Sequence, residues 1–371
     1  MKKKETICLK NEIDKTKETL NELNKKIEEL GKYSSELNEL LNKIQAKFDS
    51  IRNITSENLI EINHYKKIHF TWKQQVEKIK TDYDKLIGKF GGKIFAGAAA
   101  GVGVAAVGPY AAMGVATTFG VASTGTAIST LSGAAAINAA LAWLGGGALV
   151  LGGGGMAAGN AFLYMAGPIG IGIAVVSFIS SGLMFWKASD KKKKIERIFL
   201  DISDRDQHCY KLSITEINER ITRIVNETKM LKSALEEIEK IGNNFEEMSE
   251  DQQYELGTYV NLKNASTQLL VEPILGMTPK FNENDYEKYI SWEGRQTDFL
   301  LNDKNKKLII SFSELLYKIK LTDEEVRILY SFFKKDKKML KAFNIKREEF
   351  KKEVLEASVE ALSYSYNYRI D

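Results

Sequence analysis

Residues 9–51 read LKNEIDKTKETLNELNKKIEELGKYSSELNELLNKIQAKFDSI, and their spacing decides the fold class. Two rows seven residues apart collect Leu9, Ile13, Leu20, Leu23, Ile27, Leu30, Leu37, Leu41, Ile44, Phe48 and Ile51, broken only by Thr16 and Ser34. An apolar seam of period 3.5 with charge on every other face is the pattern of packed long helices, not of strands. The same register continues through Ile62, His69, Trp72, Val76, Ile79, Leu86 and Phe90. Gly31 with Tyr33, Ser34 and Ser35 marks a place for a bend, so one helix or two satisfies the arm.

A second seam follows later: Tyr210, Ile214, Ile217, Ile221, Ile224, Thr228, Leu231, Leu235, Ile238 and Phe245. Two such arms can lie antiparallel, each covering the other's stripe. The expected fold is therefore all-α, an elongated coiled-coil or helical-bundle stalk. Its divisions are an arm over 1–93, an insert over 94–186, a second arm over 187–245 and a helical subdomain over 246–371. Within the last, residues 261–275 read as a helix, 276–303 as a connector and 348–366 as helical. Thr322 to Glu325 has the spacing of a capping box. Lys307 to Phe312 carries a strand signal.

The insert is the unusual feature. Ile94 to Trp186 holds 93 residues without Asp, Glu, Lys, Arg or His, in a chain that is 27% charged. Within it 20 residues are Gly and 23 are Ala. Large side chains supply most of the burial energy of a soluble core, so a tract of small ones serves another end. Small residues let helix backbones approach closely, which is how helices associate in lipid. Gly97 and Gly101, and Gly155 and Gly159, have the four-residue spacing of such contacts.

A fully helical insert would be about 140 Å long against a hydrocarbon core of about 30 Å, so it folds back. Pro109, Pro168, Gly145, Gly146, Gly147, Gly152 and Gly153 are the expected hinges. Residues 169–186, IGIGIAVVSFISSGLMFW, form the best span, with Ile169, Ile171, Ile173, Val175, Val176, Phe178, Ile179, Leu183, Phe185 and Trp186 as the inserting side chains. Residues 94–116 and 126–144 are weaker spans. Lys89 and Lys93 precede the tract, and Lys187, Lys191, Lys192, Lys193 and Lys194 follow it, an interfacial basic flank at each end. Flanks on one side of a bilayer require an even number of crossings. A glycine-rich hairpin buried inside a helical fold satisfies the same composition.

Chemistry is scarce. His64 and His69 are five apart and do not share a helix face, and His208 beside Cys209 lacks further metal ligands. Residues 88–94, GKFGGKI, lack both the first glycine and the hydroxyl of a phosphate loop. No nucleophile and base can be paired, so neither an enzyme nor a cofactor or metal is expected, and no small-molecule substrate. A net charge of +4 is too mild for nucleic acid. Two cysteines form no disulfide framework and suit a reducing compartment. The basic start, Met1 to Lys4, has no apolar run behind it, so synthesis without a signal peptide is expected, with membrane association when active.

Long helices flanking an apolar Gly/Ala-rich hairpin resemble the α-helical pore-forming toxins of the cytolysin A and Bacillus enterotoxin component type. The likeness covers residues 1 to about 245 and rests on arrangement, without a diagnostic motif; the insert here is longer and richer in glycine. It implies a bacterial membrane-active protein whose apolar head is packed away until assembly. Its partners would be a lipid bilayer and further copies of itself or a helical protein. A membrane-anchored scaffold and a soluble coiled-coil subunit of a larger assembly are the alternatives.

Overall fold

The computed structural model describes residues 2–98, 110–120, 190–278, 280–297, 303–335, 340 and 346–368. The fold is all-α, with no strand among the described residues. Helix α1 spans Lys2–Ser50, α2 Ser56–Ala98, α3 Ala111–Phe119, α4 Asp190–Lys240 and α5 Glu250–Val271. Shorter helices follow: α6 Glu283–Ile290, α7 Asp303–Leu316, α8 Asp323–Lys335 and α9 Lys352–Tyr368.

Helix α1 is unbroken through Gly31, where a bend had a place in the sequence. The break falls at residues 51–55 instead. Asn53 takes a left-handed φ of 58° there, a conformation that Asn tolerates better than most residues. Arg52 donates its N–H to Asn243 O and accepts from Phe245 N, tying this turn to the end of α4.

The two long arms run parallel, not antiparallel. Thr16 meets Ser203 at one end, Lys47 meets Glu239 at the other, and Arg52 reaches Asn243. Helix α2 returns the chain, and α5 runs beside it in the same direction, since Glu61 pairs with Asn264 and Tyr65 with Gln268. Antiparallel packing belongs to α4 and α5, where Glu227 faces Ser266 and Arg220 faces Leu269. An amphipathic stripe carries no direction of its own, so tertiary packing decides it.

The described seam side chains are buried as read, with Leu235 half-buried, while the side chains of Leu9, Ile13, Leu86 and Phe90 lie outside the described residues. Leu23, Ile27, Leu30, Leu37, Leu41, Ile44, Phe48, Ile217, Ile224 and Leu231 are all buried in one core, which also takes in Leu256 to Met277. Residues 246–277, read as the start of a C-terminal subdomain, thus pack with the long helices. The two polar seam positions of α1 are matched by hydroxyls. Thr16 Oγ1 lies 2.7 Å from Ser203 Oγ, and Thr117 Oγ1 donates to Ser34 Oγ at 3.1 Å.

A second core gathers Ile195, Ile198, Phe199 and Ile202 of α4 with Phe281, Phe312, Leu329, Phe333, Phe350 and Leu355. Lys307 to Phe312 is helical, within α7, and supplies Leu308, Ile309 and Phe312 to this core. A six-residue apolar run cannot separate strand from buried helix by period alone. The connector at 276–303 contains α6, opened by a capping box between Asn282 and Asp285. Thr322 and Glu325 form the reciprocal bonds expected of them at the start of α8.

Candidate membrane-active segment and its sheath

Helix α3 is the described interior of the charge-free tract, and it lies inside the first core. Gly114, Val115, Ala116, Thr117, Thr118 and Phe119 are buried against α1, α2 and α5. It crosses α1 glycine to glycine. A Cβ on Gly31 would fall 2.0 Å from Tyr110 O, and one on Gly114 would fall 1.9 Å from Ile27 O. Gly31 is present in a strong helix because α3 crosses there backbone to backbone.

Both ends of α3 are satisfied by the surrounding helices. Tyr110 N donates to Glu28 Oε1 at 3.3 Å, which sets an acidic side chain at the positive end of the helix dipole. Burial pushes the Glu28 carboxyl up, and the bond from Tyr110 opposes that shift. At the other end Thr118 O accepts from Ile274 N at 2.7 Å, and Gly120 O accepts from Gln75 Nε2 at 3.0 Å. Gly120 itself has φ of 70° and packs against Val271 and Pro273.

Few large side chains hold α3. Val115 and Phe119 are the only wholly buried side chains of that size in it, each stabilising by roughly 1.5–3 kcal/mol. The remaining attachment is the packing of Ala111, Ala112, Met113 and Ala116, close backbone contact, one hydroxyl pair and the capping bonds.

Above this crossing the bundle contains a buried basic pair. Lys263 on α5 is fully buried and its Nζ has no hydrogen-bond partner. Desolvation lowers its pKa to about 8, with Asp49 opposing and Lys66 adding to the shift. His69 stacks on Trp72 and its Nε2 lies 2.9 Å from Asn38 Oδ1. Desolvation, then Lys73 and Lys263, lower the imidazole to about 4, so it is neutral.

Between the two cores a cavity of about 50 Å³ is lined by Arg205, Asp206, Cys209, Tyr210, Lys280 and Glu314, among others. Arg205 Nη1 donates to Leu315 O and Tyr317 O, and the guanidinium pairs with Asp206. Glu314 accepts from Lys280 N at 2.8 Å and Phe281 N at 2.6 Å, while burial raises its carboxyl to about 7. Burial also pushes the Cys209 thiol up, which makes it a poor nucleophile. His64 and His208 are exposed, and no group of three metal ligands occurs among the described residues.

Of the residues singled out from sequence, Gly97, Lys89 and Lys93 lie in the backbone of α2, and their surroundings lie outside the described residues. Gly101, Pro109, Gly145, Gly146, Gly147, Gly152, Gly153, Gly155, Gly159, Pro168, Lys187 and the span 169–186 also lie outside them. Lys191 to Lys194 occupy the first turn of α4, where Lys192 pairs with Glu196 and Lys194 with Glu324 at 2.5 Å. Among the described residues no helix is long and apolar enough to cross a membrane. Glu28, Gln75, Gly114, Gly120, Lys263, Arg205 and Glu314 were not legible as site residues. Only the seam breaks at Thr16 and Ser34, and a glycine in a helical arm, signalled these contacts. No protein-family model, curated protein or solved structure matches the chain.

Proposed function

We propose that this chain is a membrane-active, pore-forming or membrane-disrupting protein that keeps part of its charge-free tract inside a helical sheath and releases it to a bilayer. The observation that carries the reading is the seat of α3. A helix without a charged residue is buried by α1, α2 and α5, with Val115 and Phe119 as its only wholly buried large side chains and a glycine-to-glycine crossing beside them. A short segment with two large buried side chains has less to lose on release than the long arms, and switching segments are drawn from the less strongly held elements. Once released, the Gly/Ala tract gives helices the close contact that association in lipid requires. Its partners in this reading are acyl chains and further copies of the chain or another helical protein.

A reversible staple tests it. With Cys8 and Cys209 changed to Ser, Ser34→Cys and Thr117→Cys replace a hydroxyl pair 3.1 Å apart. The reduced protein should empty dye-loaded liposomes, and the oxidised one should not. Leakage by neither form rejects membrane activity; equal leakage by both rejects release of α3 as the step.

A further inference from the structure

The end of α9 carries a built aromatic surface. Glu360, Tyr364 and Tyr368 are spaced four residues apart and share one face of that helix. Tyr364 and Tyr368 stack at 5.2 Å and 27°, and the Trp292 ring lies 5.1 Å from the first and 5.7 Å from the second. Trp292 folds over Gly294, where a Cβ would fall 2.6 Å from the indole. Glu360 fixes this arrangement: its carboxylate accepts from Tyr289 Oη at 2.8 Å, Thr297 N at 3.1 Å, Thr297 Oγ1 and Gln296 N. On the other side of the turn Tyr366 meets Tyr317 at 5.8 Å, and its hydroxyl accepts from Lys318 N at 2.6 Å. Lys318 holds a left-handed φ of 60°, with its Nζ 5.6 Å from the Tyr317 ring.

These rings are not hidden in the second core. Tyr366 is 50% and Tyr368 56% exposed, and Trp292 and Tyr364 are half-buried. Tyr and Trp join an apolar body to a polar edge, which suits the boundary between lipid headgroups and acyl chains. The surrounding charge suits phosphate. Lys318 and Lys320 are exposed, and Arg295 donates its N–H to Trp292 O, against Glu293 as an exposed acid; Glu360 is engaged in its own bonds.

We infer that the aromatic end of α9 is a docking surface for the headgroup zone of a phospholipid bilayer, its rings entering the interface and Lys318 meeting phosphate. The inference rests on the membrane reading for its partner. It deepens that reading by naming the part of the chain that touches lipid while α3 is still sheathed.

Vesicles of mixed phosphatidylcholine and phosphatidylglycerol test it, with the full chain stapled through Ser34→Cys and Thr117→Cys in the Cys8→Ser, Cys209→Ser background and oxidised to hold α3. This protein should co-sediment with the vesicles. Hydroxyl-radical footprinting should show Tyr366 and Tyr368 shielded by them, while Tyr254, 80% exposed on α5, stays reactive. Tyr368→Ser, at an exposed site, should weaken co-sedimentation by about tenfold, the scale of burying part of one large side chain. Tyr368→Phe keeps the ring and should bind as its parent does. Lys318→Gly suits the left-handed φ, removes the ammonium and should weaken binding by about fivefold. Undiminished binding by Tyr368→Ser, or shielding of Tyr254 without Tyr366 and Tyr368, would overturn the inference. Self-association that depends on Tyr368, without vesicle binding, would also overturn it and assign the surface to a second copy. Docking by the oxidised form with no leakage after reduction would remove pore formation and leave the surface standing. Leakage after reduction with no footprint at Tyr368 would do the reverse.

Discussion

Gly31 of α1 and Gly114 of α3 meet backbone to backbone: a Cβ on Gly31 would lie 2.7 Å from the amide nitrogen of Gly114. This contact predicts an inverted sign for a familiar substitution. Gly→Ala inside a helix normally stabilises by about 1 kcal/mol. At Gly31 or Gly114 the new methyl collides with backbone and should destabilise by about 1–3 kcal/mol. Gly257 of α5, with nothing within 4 Å of the added methyl, should show the normal gain. Urea midpoints of the three variants check this, and equal stabilisation at all three would remove the crossing.

Thr16 and Ser203 predict a coupled pair. Their hydroxyls are buried and bonded at 2.7 Å where α1 meets α4. Thr16→Val should cost about 1–3 kcal/mol by leaving Ser203 short of a partner. Adding Ser203→Ala should recover part of that loss, so the double variant is more stable than the two single costs imply. Strict additivity in denaturant unfolding would show that the hydroxyls do not interact.

Lys263 should be a liability at neutral pH. Its folded pKa of about 8 lies below the usual 10.5. The penalty of the buried ammonium is therefore fully present below pH 8 and is relieved as pH rises from 8 to 10.5. Lys263→Met should stabilise the protein by about 3 kcal/mol at pH 7 and remove the rise in stability across that window. A less stable Met variant would mean the ammonium is satisfied in solution.

His69 and Glu314 pull in opposite directions in acid. The His69 imidazole falls to about 4 from 6.5, so its stabilising contribution is complete above pH 6.5 and is lost as pH falls toward 4. The Glu314 carboxyl rises to about 7 from 4.5, so its burial penalty is complete above pH 7 and is relieved as pH falls toward 4.5. His69→Phe should leave a protein that gains stability between pH 7 and 4.5, whereas Glu314→Gln should steepen the acid loss. Thermal midpoints across that range read both, and identical profiles would contradict the pair.

Val176→Lys should abolish liposome leakage, because an ammonium at mid-bilayer is costly to insert. Leakage at the wild-type rate would take residues 169–186 out of the inserting span.

Sequence by itself determined that the chain is helical and which faces are buried, because the 3.5-residue spacing of Leu23, Ile27, Leu30 and Leu37 is set within one element and needs no partner to be read. It also exposed the charge-free tract, since composition is a local property. Tertiary structure alone decided that α1 and α4 run parallel, that Gly31 is a crossing point and not a bend, and that Glu314 accepts the backbone N–H of Phe281, 33 residues before it in sequence. An apolar stripe has no polarity along its axis, a glycine does not reveal whether it bends its own helix or admits another, and a buried carboxylate acquires its partners only when distant segments meet.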